Sequence, residues 1–352
     1  MPNFFYLSIY TIIYLLYLLC NKKKSLENLL QYLVVLFFGI FFGTRYSVGG
    51  DFHIYECAFL KNCGSLNNYE PGFIYLINFF KFLNLNFSTY NIIYIFFFNF
   101  CLIKFIKKFS SLDNEFYIFL LSFPIFFIIL ATGSLRQGLA LSFFLLFLSL
   151  DNKNIILKYF FFVIPVFFHK SAIFLNVVFL LSFLIYLSNK YIYFKIFLFK
   201  NSKFFLFAVI FIIYLFILIF SDFINYYIFQ SGYNSIGVFP RILICIFFSI
   251  IIIFNKNKTL LGNYFYISSL LSFPLLFLSI NYSTVADRLL MYIFPLVFYG
   301  SNIFLDLFRN EKDKFLSKFI IFLIFFIYLF LWENFSPNYY LWNGYENYFF
   351  SF

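Results

Sequence analysis

Residues Phe116–Leu150 read FYIFLLSFPIFFIILATGSLRQGLALSFFLLFLSL, and Arg136 is their only charge. Two apolar runs, Phe116–Thr132 and Leu135–Leu150, meet at a break of two residues, Gly133 and Ser134. A bilayer span needs about 20 apolar residues, fewer where the bilayer is locally thinned. Each run is therefore read as one transmembrane helix, with the arginine at the turn between them. The strands of an outer-membrane barrel alternate apolar and polar residues. These runs do not alternate, which excludes a barrel.

The same texture continues outward in both directions. Of 352 residues, 64% are hydrophobic and 11% charged, more apolar surface than a soluble fold can cover. The fold class is an all-α integral membrane protein, a polytopic bundle forming a single transmembrane domain over residues 1–352. Spans are expected near Asn3–Cys20, Leu29–Gly43, Thr89–Ile106, Phe116–Thr132, Leu135–Leu150 and Ile155–Phe168. Others fall near Ala172–Ser188, Phe204–Ser221, Ile242–Phe254, Leu260–Ile280, Leu289–Leu305 and Phe315–Leu331, about twelve in all. The first lacks the leading positive charge and small-residue cleavage site of a signal peptide, so it is read as a retained helix. The 67 phenylalanines are read as compositional drift without functional weight.

A net charge of +11 in a soluble protein would suggest nucleic acid. In a membrane protein, Lys and Arg mark the cytoplasmic flanks of spans instead, and no nucleic-acid partner is expected. With Lys22–Lys24 inside, 18 of the 25 Lys and Arg fall inside and both termini fall outside. The outer segments are then a loop over 44–88, a loop over 222–240 and a tail over 332–352. Within the first loop, Phe73–Phe87 is short, apolar and broken by Lys81, Asn84 and Asn86. It is read as an interfacial or re-entrant helix.

The basic residues divide by type. Seventeen of 20 lysines lie inside, but four of five arginines lie outside: Arg45, Arg136, Arg241 and Arg288. Arginine is the bidentate partner of phosphate and carboxylate and keeps its proton. Arginines held against the topological bias point to an anionic ligand at the outer face. Each has a plainer reading as well. Arg136 also reads as snorkelling to lipid phosphates, and Arg288 as paired with its neighbour Asp287. Arg241 follows Pro240 at the end of its loop and makes a weaker case.

The longest polar stretch is Thr44–Gly72, TRYSVGGDFHIYECAFLKNCGSLNNYEPG. Gly49-Gly50 lies between Arg45 and Asp51, a plausible cradle for phosphate or sugar and equally a polar connection between spans. His169, in PVFFHKSAIF, sits at a tight outer turn. An imidazole there suits a general base, or a helix cap facing headgroups. No zinc, Walker, GxSxG or GxGxxG pattern occurs, so no metal or cofactor is expected. Cys57 and Cys63 share the outer loop, either bridged or as two free thiols. Tyr and Trp of the tail are read as interfacial anchors or as sugar-stacking surfaces.

In order, the residues resemble the EpsG family of Wzy-like polysaccharide polymerases. The resemblance runs through Arg45, Gly49, Asp51 and Tyr55, then Glu70-Pro71-Gly72. Next come Arg-Gln-Gly-x-Ala at Arg136–Ala140, Phe-His-x-Ser-Ala at Phe168–Ala172, and Arg288 with Tyr292. It implies a metal-independent glycosyltransferase of the GT-C type in the bacterial inner membrane, with its active site facing outward. The implied reaction joins undecaprenyl-diphosphate-linked oligosaccharide repeat units of an O-antigen, capsule or exopolysaccharide, with inversion. Flippase and chain-length regulator proteins would be partners. On this resemblance Arg136 and Arg288 serve the diphosphate with Arg45 close behind, and His169 is the base before Asp51. Gly49, Tyr55, Glu70, Gln137, Arg241, Asp287 and Tyr292 would complete the substrate site. A lipid-linked oligosaccharide ligase and a non-enzymatic flippase or transporter are the rival readings.

Overall fold

The computed structural model describes residues 4–20, 23–60, 69–150, 155–191, 235, 237–255, 259–336, 338–342 and 346–347. In chain order these form α1 (Phe5–Leu19), α2 (Lys24–Phe37, running on as a π-helical turn Phe38–Phe42) and β1 (Arg45–Tyr46). Then come α3 (Phe52–Leu60), α4 (Pro71–Phe82), α5 (Phe87–Phe109) and α6 (Glu115–Leu121). A π-helical segment Phe123–Gly133 leads to α7 (Leu135–Ser149) and α8 (Ile155–Phe168). The remainder is α9 (Ile173–Lys190), α10 (Val238–Phe254), α11 (Leu260–Asn281), α12 (Ser283–Ile293), α13 (Pro295–Asp306), α14 (Glu311–Phe335) and β2 (Glu346–Asn347). The chain divides into two compact units, Met1–His169 with Phe304–Phe352, and Lys170–Ile303.

In the first unit, α5 packs between α7 and the π-turn of α2, α7 packs on α8, and α1 packs on α14. Helices satisfy their backbone polar groups internally, as a lipid environment demands. Their apolar side chains can then face outward without cost; Ile12 and Leu15 of α1 are each more than half exposed. Phenylalanine has a packing role here. Phe38, Phe42, Phe123 and Phe127 interlock, with Phe38 and Phe127 centroids 4.4 Å apart. Pro124 opens the π-helical segment, which is bent by 61° from α6. Proline removes a helical donor and crowds the preceding turn, the usual cause of such a kink.

The segment expected as an interfacial or re-entrant helix at Phe73–Phe87 forms α4 over Pro71–Phe82, and turn chemistry ends it short of Phe87. α4 has 12 residues. At 1.5 Å per residue it is about 18 Å long, well short of a bilayer core of about 30 Å. Glu70 lies at its N-cap and Pro71 at its first position, where a missing N–H costs nothing. Asn84 closes it in the left-handed conformation (φ 54°), with Leu85 N–H donating to the Phe80 carbonyl at 3.0 Å. Asn86 then caps α5, accepting from the Thr89 N–H at 2.8 Å. Lys81 donates to the Ala58 carbonyl at 2.7 Å, near the end of α3.

In the second unit, α11 packs on α9, α10 and α12. Ser272 donates to Ser249 at 3.0 Å between α11 and α10, and Ser171 and Tyr292 share a hydrogen bond of 2.9 Å. A bend of 51° separates α12 from α13.

Each expected span within the described residues coincides with helix; Phe204–Ser221 lies outside them. Among the described residues, by length and composition, four helices can cross a membrane alone, or up to six spans if each bent pair counts as one. α1, α7, α8 and α10 are shorter apolar helices. Among the described residues, length and composition thus establish several spans and do not by themselves reach twelve.

Candidate functional site

The turn between α2 and α3 is built around Arg45. This arginine is fully buried, and its guanidinium donates to three backbone carbonyls. Nε reaches Val48 at 3.1 Å, Nη1 reaches Phe42 at 2.8 Å and Nη2 reaches Thr132 at 3.2 Å. Phe42 and Thr132 lie at the ends of π-helical segments, whose last carbonyls lack helical partners. The guanidinium satisfies them and brings a positive charge to the negative ends of two helix dipoles. Arg45, expected among the diphosphate ligands, is therefore placed as the scaffold of the loop.

Gly49 fixes the same turn. Its φ is +112°, and an added Cβ would strike the Thr132 carbonyl. Of the Gly49-Gly50 pair it is the one that no other residue can replace without strain. Its N–H donates to the Leu341 carbonyl at 2.9 Å, the first of several contacts from the C-terminal tail. β2 pairs antiparallel with β1, Arg45 opposite Asn347. Asn347 donates to Thr44 Oγ1 at 2.7 Å and the Phe41 carbonyl at 2.9 Å, and Trp342 Nε1 donates to Thr132 Oγ1 at 3.2 Å. Tyr339 and Trp342 both pack edge-on against Trp332 of α14. These aromatic residues, read as anchors or sugar platforms, clasp the loop that carries Asp51.

Arg136 has a different environment. It stands in the first turn of α7, with its side chain 24% exposed. Nη1 pairs with Glu70 Oε2 at 2.5 Å and Nε donates to the Tyr55 hydroxyl at 3.5 Å. The guanidinium carbon lies 5.0 Å from the Tyr69 ring centroid and 5.9 Å from that of Tyr55. Nη2 has no hydrogen-bond partner among the described residues. The Tyr55 hydroxyl also donates to Asp51 Oδ2 at 3.4 Å. Asp51, Tyr55, Arg136 and Glu70 therefore form one polar run drawn from three separate motifs. Burial raises the Tyr69 phenol above its ordinary pKa, Arg136 opposes that rise and Asp51 adds to it. The phenol stays protonated at neutral pH.

His169 is buried at the end of α8. The backbone brings this end to the Glu-Pro-Gly motif: a Cβ on Gly72 would lie 2.7 Å from the Phe167 carbonyl. Gln137 is buried beside Arg136 in sequence. Gly138 lets α7 approach the Tyr94 hydroxyl and the Leu130 carbonyl. Cys57 is disulfide-bonded, while Cys20, Cys101 and Cys245 are free; Cys63 lies outside the described residues.

The second unit holds its own charged group. Arg241 Nη1 pairs with Asp287 Oδ1 at 2.7 Å, and its Nε donates to the Gly237 carbonyl at 2.7 Å. Ser235 donates to Asp287 Oδ2 at 2.7 Å. The ion pair considered between Asp287 and Arg288 is thus made with Arg241 instead. Neighbours on one helical turn point apart, whereas Arg241 approaches from α10. Arg288 is half-exposed, and Tyr292 is fully buried. Among the described residues, no three His, Cys, Asp or Glu side chains gather as a metal-binding group.

The sequence model of the EpsG family matches residues 28–349. The chain belongs to the EpsG family. It is a multi-pass membrane protein of a family associated with polysaccharide biosynthesis. Neither the curated proteins nor the solved structures contain a match to the chain. The motifs on which the resemblance rested, from Arg45 to Tyr292, all fall within the matched residues.

Proposed function

We propose that the protein is a polymerase of surface polysaccharide, transferring lipid-diphosphate-linked oligosaccharide units onto one another at the outer face of the membrane. One observation carries this reading most directly: a half-buried arginine, oriented by a carboxylate and two phenols, with one edge of its guanidinium unoccupied among the described residues. Such a group is costly at the edge of a span and is functional by default.

The reaction follows from charge. A sugar hydroxyl of the acceptor attacks the anomeric carbon of the donor, whose bond to the diphosphate breaks. The electron pair leaves with the diphosphate oxygen, and the hydroxyl proton passes to a base. Negative charge grows on the leaving oxygen, so a fixed cation there favours the transition state over the ground state. Arg136 is assigned this part, with Glu70 and Tyr55 holding its plane and Arg288 as a second cation. His169 is the assigned base. A second assignment, Asp51, is favoured by its hydrogen bond from the Tyr55 hydroxyl that also accepts from Arg136. Attack opposite the leaving group inverts the anomeric centre. Gln137, Arg241, Asp287 and Tyr292 remain proposed substrate contacts, and undecaprenyl diphosphate is the proposed carrier in a bacterial inner membrane.

Lipid-linked glycans extracted from cells with and without the gene test the reading. Single unpolymerised units accumulating in its absence support polymerase activity. Polymer of normal length that fails to reach its final acceptor would instead identify a ligase. Absence of units at the outer face would identify a flippase. His169→Gln and Asp51→Asn separate the two bases, since either variant that still makes wild-type polymer removes that residue from the role.

A further inference from the structure

The first unit contains a second polar site, at the opposite ends of α1 and α14 from Arg136. A partly open cavity of about 270 Å³ is lined by Tyr14, Tyr17 and Leu18 of α1, Lys24 and Glu27 of α2, Asp113, and Glu311, Lys314, Phe315 and Lys318 of α14. From Tyr6, which touches the tail, to Tyr17 is 11 residues of helix, roughly 17 Å. The cavity therefore does not belong to the site around Arg136. Ligand pockets for drug-sized molecules usually span about 300–1,000 Å³. This one suits a small headgroup and not an oligosaccharide.

Its polar groups are incompletely paired. The Tyr14 hydroxyl is buried without a hydrogen-bond partner, while its ring stacks on Phe322 at 3.7 Å. An unpaired buried hydroxyl is costly and calls for a partner. Lys318 donates to the Tyr17 hydroxyl at 2.9 Å and the Asp113 carbonyl at 3.1 Å, which leaves one of its three N–H groups. The Tyr17 and Tyr117 rings flank its ammonium at 5.6 and 5.4 Å. The Lys314 ammonium and the Asp113 carboxylate make no hydrogen bond or ion pair among the described residues. Lys24 is taken up by Glu27 at 3.8 Å, Glu115 at 3.6 Å and the Leu112 carbonyl.

Three lysines and three carboxylates line the cavity, so its formal charge is zero. That balance disfavours a simple anion and matches a ligand carrying both signs. Phe315 beside it is 53% exposed, with Leu316 and Leu19 also exposed nearby in sequence, an apolar rim suited to acyl chains. We propose that this cavity binds the headgroup of a zwitterionic aminophospholipid. Lys318 and Lys314 hold the phosphate, and Asp113 with Glu311 holds the ammonium. Phosphocholine carries the same two charges, but its quaternary nitrogen has no N–H to donate to these carboxylates.

The test is native mass spectrometry of the full chain, released from detergent with equal amounts of dioleoyl phosphatidylethanolamine, phosphatidylglycerol and phosphatidylcholine. The ethanolamine lipid is expected to remain bound about tenfold more than either other lipid, the difference of one charge-assisted hydrogen bond. Lys318→Met should remove that retention, and Lys314→Ala, at a partly exposed position, should reduce it severalfold. Asp113→Asn should narrow the preference over phosphatidylglycerol. Soluble phosphoethanolamine in excess should displace the lipid only partly if the acyl chains contribute, and full displacement would assign the site to a free headgroup compound. Equal retention of the three lipids overturns the proposal. So does retention that both Lys314→Ala and Asp113→Asn leave unchanged.

Discussion

Arg45 and Arg136 flank the same bend, where the π-helical segment ends at Gly133 and α7 begins. Both precede or follow glycine motifs, and both were expected on the outer side. One is fully buried and bonded to three backbone carbonyls; the other is held by a carboxylate and two tyrosines, with part of its surface open. The difference lies in the acceptors. Main-chain carbonyls at helix ends are structural debts of the fold, and a guanidinium that settles them is a building element. The partners of Arg136 are a carboxylate and phenols instead, and under the proposed function the guanidinium they orient is the one offered to an anion.

This contrast can be broken by substitution. The largest stability effect is expected from Arg45→Lys. An ammonium cannot reach all three carbonyls, and leaving two buried acceptors unpaired costs about 2–4 kcal/mol. The measurement is thermal unfolding in detergent together with protein level in the membrane. A variant as stable as wild type would remove Arg45 from the scaffold. Gly49→Ala comes next, at about 1–3 kcal/mol for forcing a side chain to positive φ. Its collision with the Thr132 carbonyl adds to that, and Gly50→Ala, which meets Trp342 at an ordinary 3.4 Å, should be milder in the same assay. The smallest effect is expected from Trp342→Phe. It deletes one hydrogen bond to Thr132, about 1 kcal/mol, while retaining most of the ring. If the tail clasps the loop, limited proteolysis of this variant should cut near the tail sooner; unchanged cleavage would contradict the clasp.

The membrane class and the helical segments were legible in the sequence because burying apolar length is a local property. The bounds of α4 were legible only in part: the segment was expected over Phe73–Phe87, whereas Pro71 opens the helix, Asn84 closes it after Phe82 and Asn86 caps α5. The polar run from Asp51 to Glu70 was legible only as separate motifs, whose meeting depends on how α3, α4 and α7 are packed. The carbonyl partners of Arg45 were not legible, because an arginine beside a glycine pair reads alike whether it faces a ligand or a carbonyl. The tail was the least legible. Asn347 meets Thr44 across 303 residues, and nothing in SPNYYLWNGYENYFF signals that pairing. Nor does any local signal announce Glu333, whose Oε1 accepts from the Tyr6 and Leu7 N–H groups at 2.7 and 3.0 Å and caps α1.

The division between the two arginines is tested most directly by turnover per folded molecule. Purified wild type, Arg136→Lys and Arg45→Lys would be supplied with the same lipid-diphosphate-linked repeat units, and polymer formed would be normalised to folded protein. Arg136→Lys keeps the charge but loses the planar paired donors, and should fall about 100-fold or more with unfolding temperature unchanged. Arg45→Lys should be less stable yet keep turnover within a few-fold of wild type. Wild-type turnover from Arg136→Lys, or an equal loss in both variants, would contradict the assignment.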